Sequence, residues 1–241
     1  IDRLILELEQ KKHHLENREI ATIFIGGGTP SLISGTAIHR LLTSITKRFP
    51  CSNNVEITLE ANPGTVEIQF LKDYYEAGVN RLSFGIQSFC DKQLSKLGRI
   101  HSAQEAQDAF KLARQIGFDN INIDVMFALP KQSTLEALND LEQAISLSPE
   151  HISWYQLTIE PNTAFAHLPP ALPNDDSVVE MQTQGQALLR SHDYHQYEVS
   201  AYARNQKHCR HNENYWEFGD YLGIGAGAHS KITQSQFITR Y

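Results

Sequence analysis

The amino-acid sequence predicts an α/β protein: a partial TIM-like barrel of βα units followed by an appended C-terminal α+β lobe. Three observations predict it. Strand-like runs rich in β-branched and aromatic residues alternate with amphipathic helix-like runs, the order that builds a parallel sheet with helical crossovers. In "NINIDVMF", Ile121, Ile123 and Val125 share one face while Asn120, Asn122 and Asp124 share the other. A strand covered by helices on both sides is apolar on both, so this polar face fits a barrel lumen or, alternatively, a solvated sheet edge. Finally, Glu60, Gln87, Asp124 and the glycines after "TIFI" fall at or near the carboxyl ends of successive strands, the rim at which parallel α/β folds bind ligands.

Taken in order, the chain opens on "IDRLILELEQKKHHLENRE", with Leu4, Leu8 and Leu15 near helical spacing and no starting Met, which reads as a piece of a longer protein entered in mid-helix. Strands are expected at "TIFIG", "VEITLEA", "RLSFGIQ", "INIDVMFAL" and "HISWYQLTI". Helices are expected over Thr36 to Phe49, Val66 to Ala77, Ala103 to Ile116 and Leu135 to Leu147. Ser102 with Glu105 and Ser133 with Glu136 are spaced as capping boxes, while Gly78 and Gly117 stand where helices stop. After Pro161 the pattern weakens. "LPPALPND" is a proline-rich connector before a helix from about Asp176 to Ser191, and aromatic, histidine-bearing segments follow. The expected division is residues 1–170 for the barrel and 171–241 for the extension.

With 241 residues the chain is long enough for a large core in one domain. Lys plus Arg number 21 against 28 Asp plus Glu, a net charge of −7, so no broad basic surface is available and nucleic acid is not an expected partner. Cys51, Cys90 and Cys209 are odd in number and far apart, which argues against a disulfide framework and suits a reducing cytoplasm. No signal-peptide pattern and no apolar run of bilayer length is present.

The residues that carry chemistry each have a plainer reading beside them. Gly26, Gly27 and Gly28 lack the spacing of either nucleotide-binding glycine fingerprint. Bare backbone there admits a ligand closely, or simply makes a sharp turn. Glu60 before "ANPGT" suits a ligand ammonium or ribose hydroxyl, or braces the turn. Arg99 in "LGRIH" is a carboxylate fork or an ordinary surface cation. "KHCRHNENYW" sets His208, Cys209 and His211 beside Asn212, Tyr215 and Trp216. Imidazole binds iron, and aromatic rings stack on a flat macrocycle; the alternative is a polar loop whose aromatics fill a small core. No G-x-S-x-G elbow, H-E-x-x-H pair or second metal-ligand pair at zinc spacing appears.

In this order, "IFIGGGTPSL", "EITLEANPGT", "AGVNRLSFGIQSF", "LGRIHS", "NINIDVMFALP", "SWYQLTIEPNT", "CRHNENYW" and "DYLGIGAGAHS" resemble the HemW haem chaperones, HemN-like radical SAM proteins once grouped with oxygen-independent coproporphyrinogen III oxidases. The resemblance runs through essentially the whole chain. It implies a partial (β/α)6 barrel of the radical SAM type that binds S-adenosylmethionine and a [4Fe-4S] cluster. Carried over by position, Gly27, Gly28, Thr29, Glu60, Gln87, Arg99 and Asp124 would hold S-adenosylmethionine. The HNxxYW motif, present as His211, Asn212, Tyr215 and Trp216, would hold haem, with His208, Cys209, His211 and His229 all chemically able to ligate its iron. The implied role is a cytoplasmic haem chaperone whose partners are haem, haem-acceptor proteins and, by peripheral contact, membrane haem enzymes. The alternative is radical decarboxylation of coproporphyrinogen III; a radical SAM enzyme acting on RNA suits the acidic balance poorly. Three departures stand out. The family's C-x-x-x-C-x-x-C is absent, so the cluster ligands are expected outside this chain, together with a first strand, through truncation. Ala128 stands where Gly is usual in a "GLP" turn, and Ser230 follows the His of "GAH" in place of Gly.

Overall fold

Alternation along the strands decides which way the sheet curls. In the computed structural model, which describes residues 1–15, 18–64, 69–234 and 238–240, five strands lie side by side in chain order. They are β1 (Ile20–Ile25), β2 (Cys51–Ala61), β3 (Arg81–Gln87), β4 (Ile121–Phe127) and β5 (His151–Gln156), each parallel to the next. Ile57, Leu59, Leu82, Phe84, Ile86, Ile121, Ile123, Val125, Ile152 and Trp154 are buried in one cluster beneath the helices. Each such aliphatic side chain contributes about 1.5–3 kcal/mol on leaving water. The residues between them, among them Glu56, Thr58, Arg81, Ser83, Asn122 and His151, are polar and still buried. A sheet with one apolar and one polar buried face is the wall of a half-barrel, as the "NINIDVMF" pattern predicts.

The crossovers are α2 (Gly35–Thr46), α3 (Leu71–Glu76), α4 (Asp91–Lys96), α5 (Ala103–Ile116) and α6 (Thr134–Ser146). Both predicted capping boxes form, Ser102 with Glu105 and Ser133 with Glu136. Gly78 and Gly117 turn the chain out of helix with φ of 102° and 122°. Of the helix expected from Val66 to Ala77, residues 65–68 lie outside the described residues, and the regular part is α3.

Beyond β5 come a single helical turn, α7 (Ala164–His167), and the long α8 (Asp175–Ser191). The sheet then continues with reversed polarity, since β7 (Ala201–Ala203) pairs antiparallel with β5 and β6 (His195–Gln196) with β7. A further helix, α9 (Arg210–Trp216), precedes the hairpin β8 (Lys231–Thr233) and β9 (Ile238–Arg240). At the N-terminus, α1 (Asp2–Lys11) buries Leu8 with Leu41, Ile45 and Phe49 in a second cluster, joined by Leu222 and Ile224. Asp220 ties the two ends of the chain by accepting from Arg18, Lys231 and Thr233. Among the described residues no helix is long and apolar enough to cross a membrane.

Candidate functional site

The carboxyl ends of β1, β2, β3 and β4 bring the predicted residues to one rim. Gly27 donates its backbone N–H to Glu60 Oε2 at 3.1 Å. A Cβ on Gly26 would lie 2.9 Å from that same oxygen and 2.7 Å from the Phe24 ring, so Gly26 is the residue that lets the carboxylate settle over the turn. Gly27 and Gly28 have φ of 80° and 60°, and a Cβ on either would meet nothing within 4 Å. Their backbone is turned left-handed and left bare. Thr29 follows them at the head of a short 3-10 turn. Across the rim, Arg99 donates to Asn62 Oδ1 at 3.2 Å.

Gln87 is held by a residue that sequence reasoning missed, Tyr155 at the end of β5. Its hydroxyl donates to Gln87 Oε1 at 2.6 Å. Gln87 itself is held at φ 72°, a conformation costing a non-glycine residue about 1–3 kcal/mol, of the kind that clusters at ligand sites. Burial raises the Tyr155 hydroxyl above its ordinary range, and the fields of Asp124, Arg99 and Glu60 all reach it. Burial likewise raises the Asp124 carboxyl; hydrogen bonds from Asn122 and Ser153 oppose this, Glu60 adds to it and Arg81 subtracts. Glu60, Gln87, Arg99 and Asp124 therefore face one region. Open amides, carboxylates and a guanidinium complement a ligand bearing an ammonium group, a carboxylate and ribose hydroxyls.

From Asp124 a chain of hydrogen bonds runs inward. Asn122 Nδ2 donates to Asp124 Oδ1 at 2.8 Å, and its Oδ1 faces His151 Nδ1 at 2.6 Å. His151 Nε2 meets the Tyr197 hydroxyl at 2.7 Å, and that hydroxyl oxygen accepts from the Cys209 backbone N–H at 3.1 Å. Burial, with the fields of Arg81 and His208, holds the His151 pKa well below its usual value. A neutral imidazole donating from Nδ1 and accepting at Nε2 satisfies every link.

The chain ends where α9 begins. Cys209 gives α9 no side-chain cap; Glu56 supplies one from β2, accepting from the backbone N–H of Arg210 and of His211, both at 3.2 Å. The buried Cys209 thiol also points at Glu56, at 3.7 Å. This turns the His211 ring inward, stacked on Phe24 of β1 with centroids 4.5 Å apart. Tyr215 packs edge-on to His211 and leans on Tyr221. Asn212 is half-buried, whereas Trp216 and Phe218 are 54% and 76% exposed. The four candidate ligands thus separate. His208 is engaged by Glu213 and stacked on Tyr197, the Cys209 thiol is raised by burial, and His229 is exposed. His211 has no side-chain hydrogen bond among the described residues, and burial lowers its pKa, leaving a neutral ring with free nitrogens.

No group of three His, Cys, Asp or Glu side chains among the described residues could hold a metal ion, and Cys51, Cys90 and Cys209 are all free; a [4Fe-4S] cluster does not fit the described residues. A cleft of about 570 Å3 opens at the opposite end of the strands between Asn54, Asn80, Asn120, His208 and Arg210, and none of the rim residues lines it. Ala128 takes φ 58°, the left-handed turn for which glycine is the unstrained choice.

Comparison with known proteins bears on the fold and the family. The heme chaperone HemW of Escherichia coli (strain K12) is 54% identical over 97% of this chain and 62% of its own length. HemW of Haemophilus influenzae is 55% identical over 94% of the chain and 59% of its own. The chain thus spans about three fifths of the curated relatives it matches. The structure of the coproporphyrinogen III oxidase HemN from Escherichia coli, described as a radical SAM enzyme, superposes with a TM-score of 0.77 at 24% identity, covering 95% of this chain and 59% of that one; at that identity it speaks for the fold. The Radical SAM superfamily model matches residues 3–144, more than half of the 241. Rim, half-barrel and sequence match lead to one conclusion: the chain belongs to the radical SAM superfamily.

Proposed function

We propose that the intact protein is a haem chaperone, binding haem through α9 and passing it to acceptor proteins, with S-adenosylmethionine held at the rim. The observation that carries this reading is His211: an inward-facing imidazole, kept neutral by burial and without a hydrogen bond among the described residues. A ligating histidine offers iron an unprotonated ring nitrogen, and most buried polar groups are already committed elsewhere. The names of the relatives support the same reading. Tyr215, Trp216 and Phe218 leave aromatic surface on and just beyond α9, chemistry that suits a flat macrocycle.

For S-adenosylmethionine, the Gly27–Gly28 backbone and Thr29 would line the approach, Glu60 would meet the ammonium or ribose, Arg99 the carboxylate, and Gln87 and Asp124 the remaining polar edges. The cofactor supplies methionyl and adenosyl chemistry; this chain's part is to hold and orient it. A [4Fe-4S] cluster would be anchored by residues outside this chain, and no step here depends on it. In this scheme residues 1–170 form the cofactor barrel and 171–241 the haem-bearing extension.

Haem titration of the full-length protein tests the reading. His211→Ala is expected to weaken binding at least tenfold, about 1.4 kcal/mol, and to shift the Soret band, while His229→Ala leaves both unchanged. Equal affinity and an unmoved band in His211→Ala would remove the haem assignment from this residue.

A further inference from the structure

Arg81, the first residue of β3, is a buried cation whose side chain makes no hydrogen bond among the described residues. It is 2% exposed, and its Nε has no hydrogen-bond partner. Among the described residues its side chain enters no salt bridge, and its backbone is paired in the ladder with β2. By strand alternation it lies on the inner face with Ser83, which donates to Asp124. Its registered neighbour on β2 is Thr58, itself fully buried with an unpartnered Oγ1. Asp124 feels its charge, but the hydrogen bonds of Asp124 go to Asn122 and Ser83 and those of Glu56 to the α9 amides, so neither carboxylate hydrogen-bonds the guanidinium. The field of Arg81 reaches Asp124, His151, Cys209 and His211, which sets the guanidinium between the rim and α9.

Arginine does not shed its charge on burial, and a buried charged group whose hydrogen bonds are left unmade costs the fold even where a carboxylate lies in its field. Such a group is retained where a ligand supplies the missing anion, and the planar guanidinium fork fits a carboxylate. We propose that Arg81, with the Thr58 hydroxyl, forms an anion-binding pair in the lumen that receives a carboxylate side chain of the tetrapyrrole whose iron meets His211. This rests on the haem reading above, and adds that the ligand is recognised as an acid as well as a metal complex.

The test compares haem with its dimethyl ester, in which both carboxylates are blocked, on the full-length protein. Wild type is expected to prefer the free acid by about tenfold or more, the scale of a lost charge-assisted contact. Arg81→Met should bind both forms alike, with an unmoved Soret band because His211 still ligates. Arg81→Lys should keep part of the preference. Ligand-free Arg81→Met should melt at or above the wild-type temperature, because an apolar chain replaces a buried guanidinium with unmade hydrogen bonds. A wild type indifferent to esterification, an Arg81→Met that keeps the preference, or an Arg81→Met that melts lower or fails to fold would each overturn the proposal. Failure of the haem reading shows separately, as a Soret band indifferent to His211→Ala.

Discussion

His151 shows how one side chain in the lumen sets a solution property. It is fully buried and bonded at both nitrogens, and its folded pKa lies well below its ordinary value because of burial first, then Arg81 and His208. A group with a depressed pKa binds more protons once unfolded, so acid favours unfolding. The stability it contributes is complete above the unfolded pKa of about 6.5 and falls at up to about 1.4 kcal/mol per pH unit below it. Urea unfolding of wild type and His151→Asn from pH 7.5 to 5 should therefore give curves that converge toward acid, the wild type losing stability faster. Parallel curves would mean that His151 is protonated equally in both states.

Among the elements, α8 shows how a helix outside the repeating βα pattern is locked to the sheet. A Cβ on Gly185 would come within 1.9 Å of the Trp154 indole, so the helix lies directly against the tryptophan and only glycine fits between them. Gly185→Ala has to push α8 off β5 or turn the indole, an overpacking that costs about 1–3 kcal/mol. A drop in the urea midpoint is expected, and an unchanged midpoint would contradict this packing. Elements with local signals were legible in the sequence: the Ser102 and Ser133 boxes, the ends of α5, and the two faces of β4. "HISWYQLTI" was legible as a strand and no further. Aromatic residues stand on both of its faces, so only the register with β4 tells that Trp154 faces the helices and Tyr155 the lumen. Glu56 and α9 meet across more than 150 residues, a contact that no local pattern carries. For the same reason Arg81 read as the opening of a strand, although its buried charge is a property of what surrounds it.

On the scale of the whole molecule, the polar face of the half-barrel joins two groups of residues that stand far apart in the sequence. Glu60, Gln87, Arg99 and Asp124 face one region at the rim, and the path from Asp124 through Asn122, His151 and Tyr197 reaches the first turn of α9. Residue types at strand ends pointed to the rim; its closure by Tyr155 and its link to α9 come from the curvature that puts inward side chains of different strands in contact. The account depends on that rim acting as one site. A double-mutant cycle on S-adenosylmethionine affinity, using Gln87→Ala and Asp124→Asn in the full-length protein, tests this most directly. Each single change should weaken binding about tenfold, and the pair should lose less than the sum of the two by at least about 0.5 kcal/mol, the mark of groups sharing one ligand and one network. Strictly additive losses, or affinities untouched by either change, would contradict it.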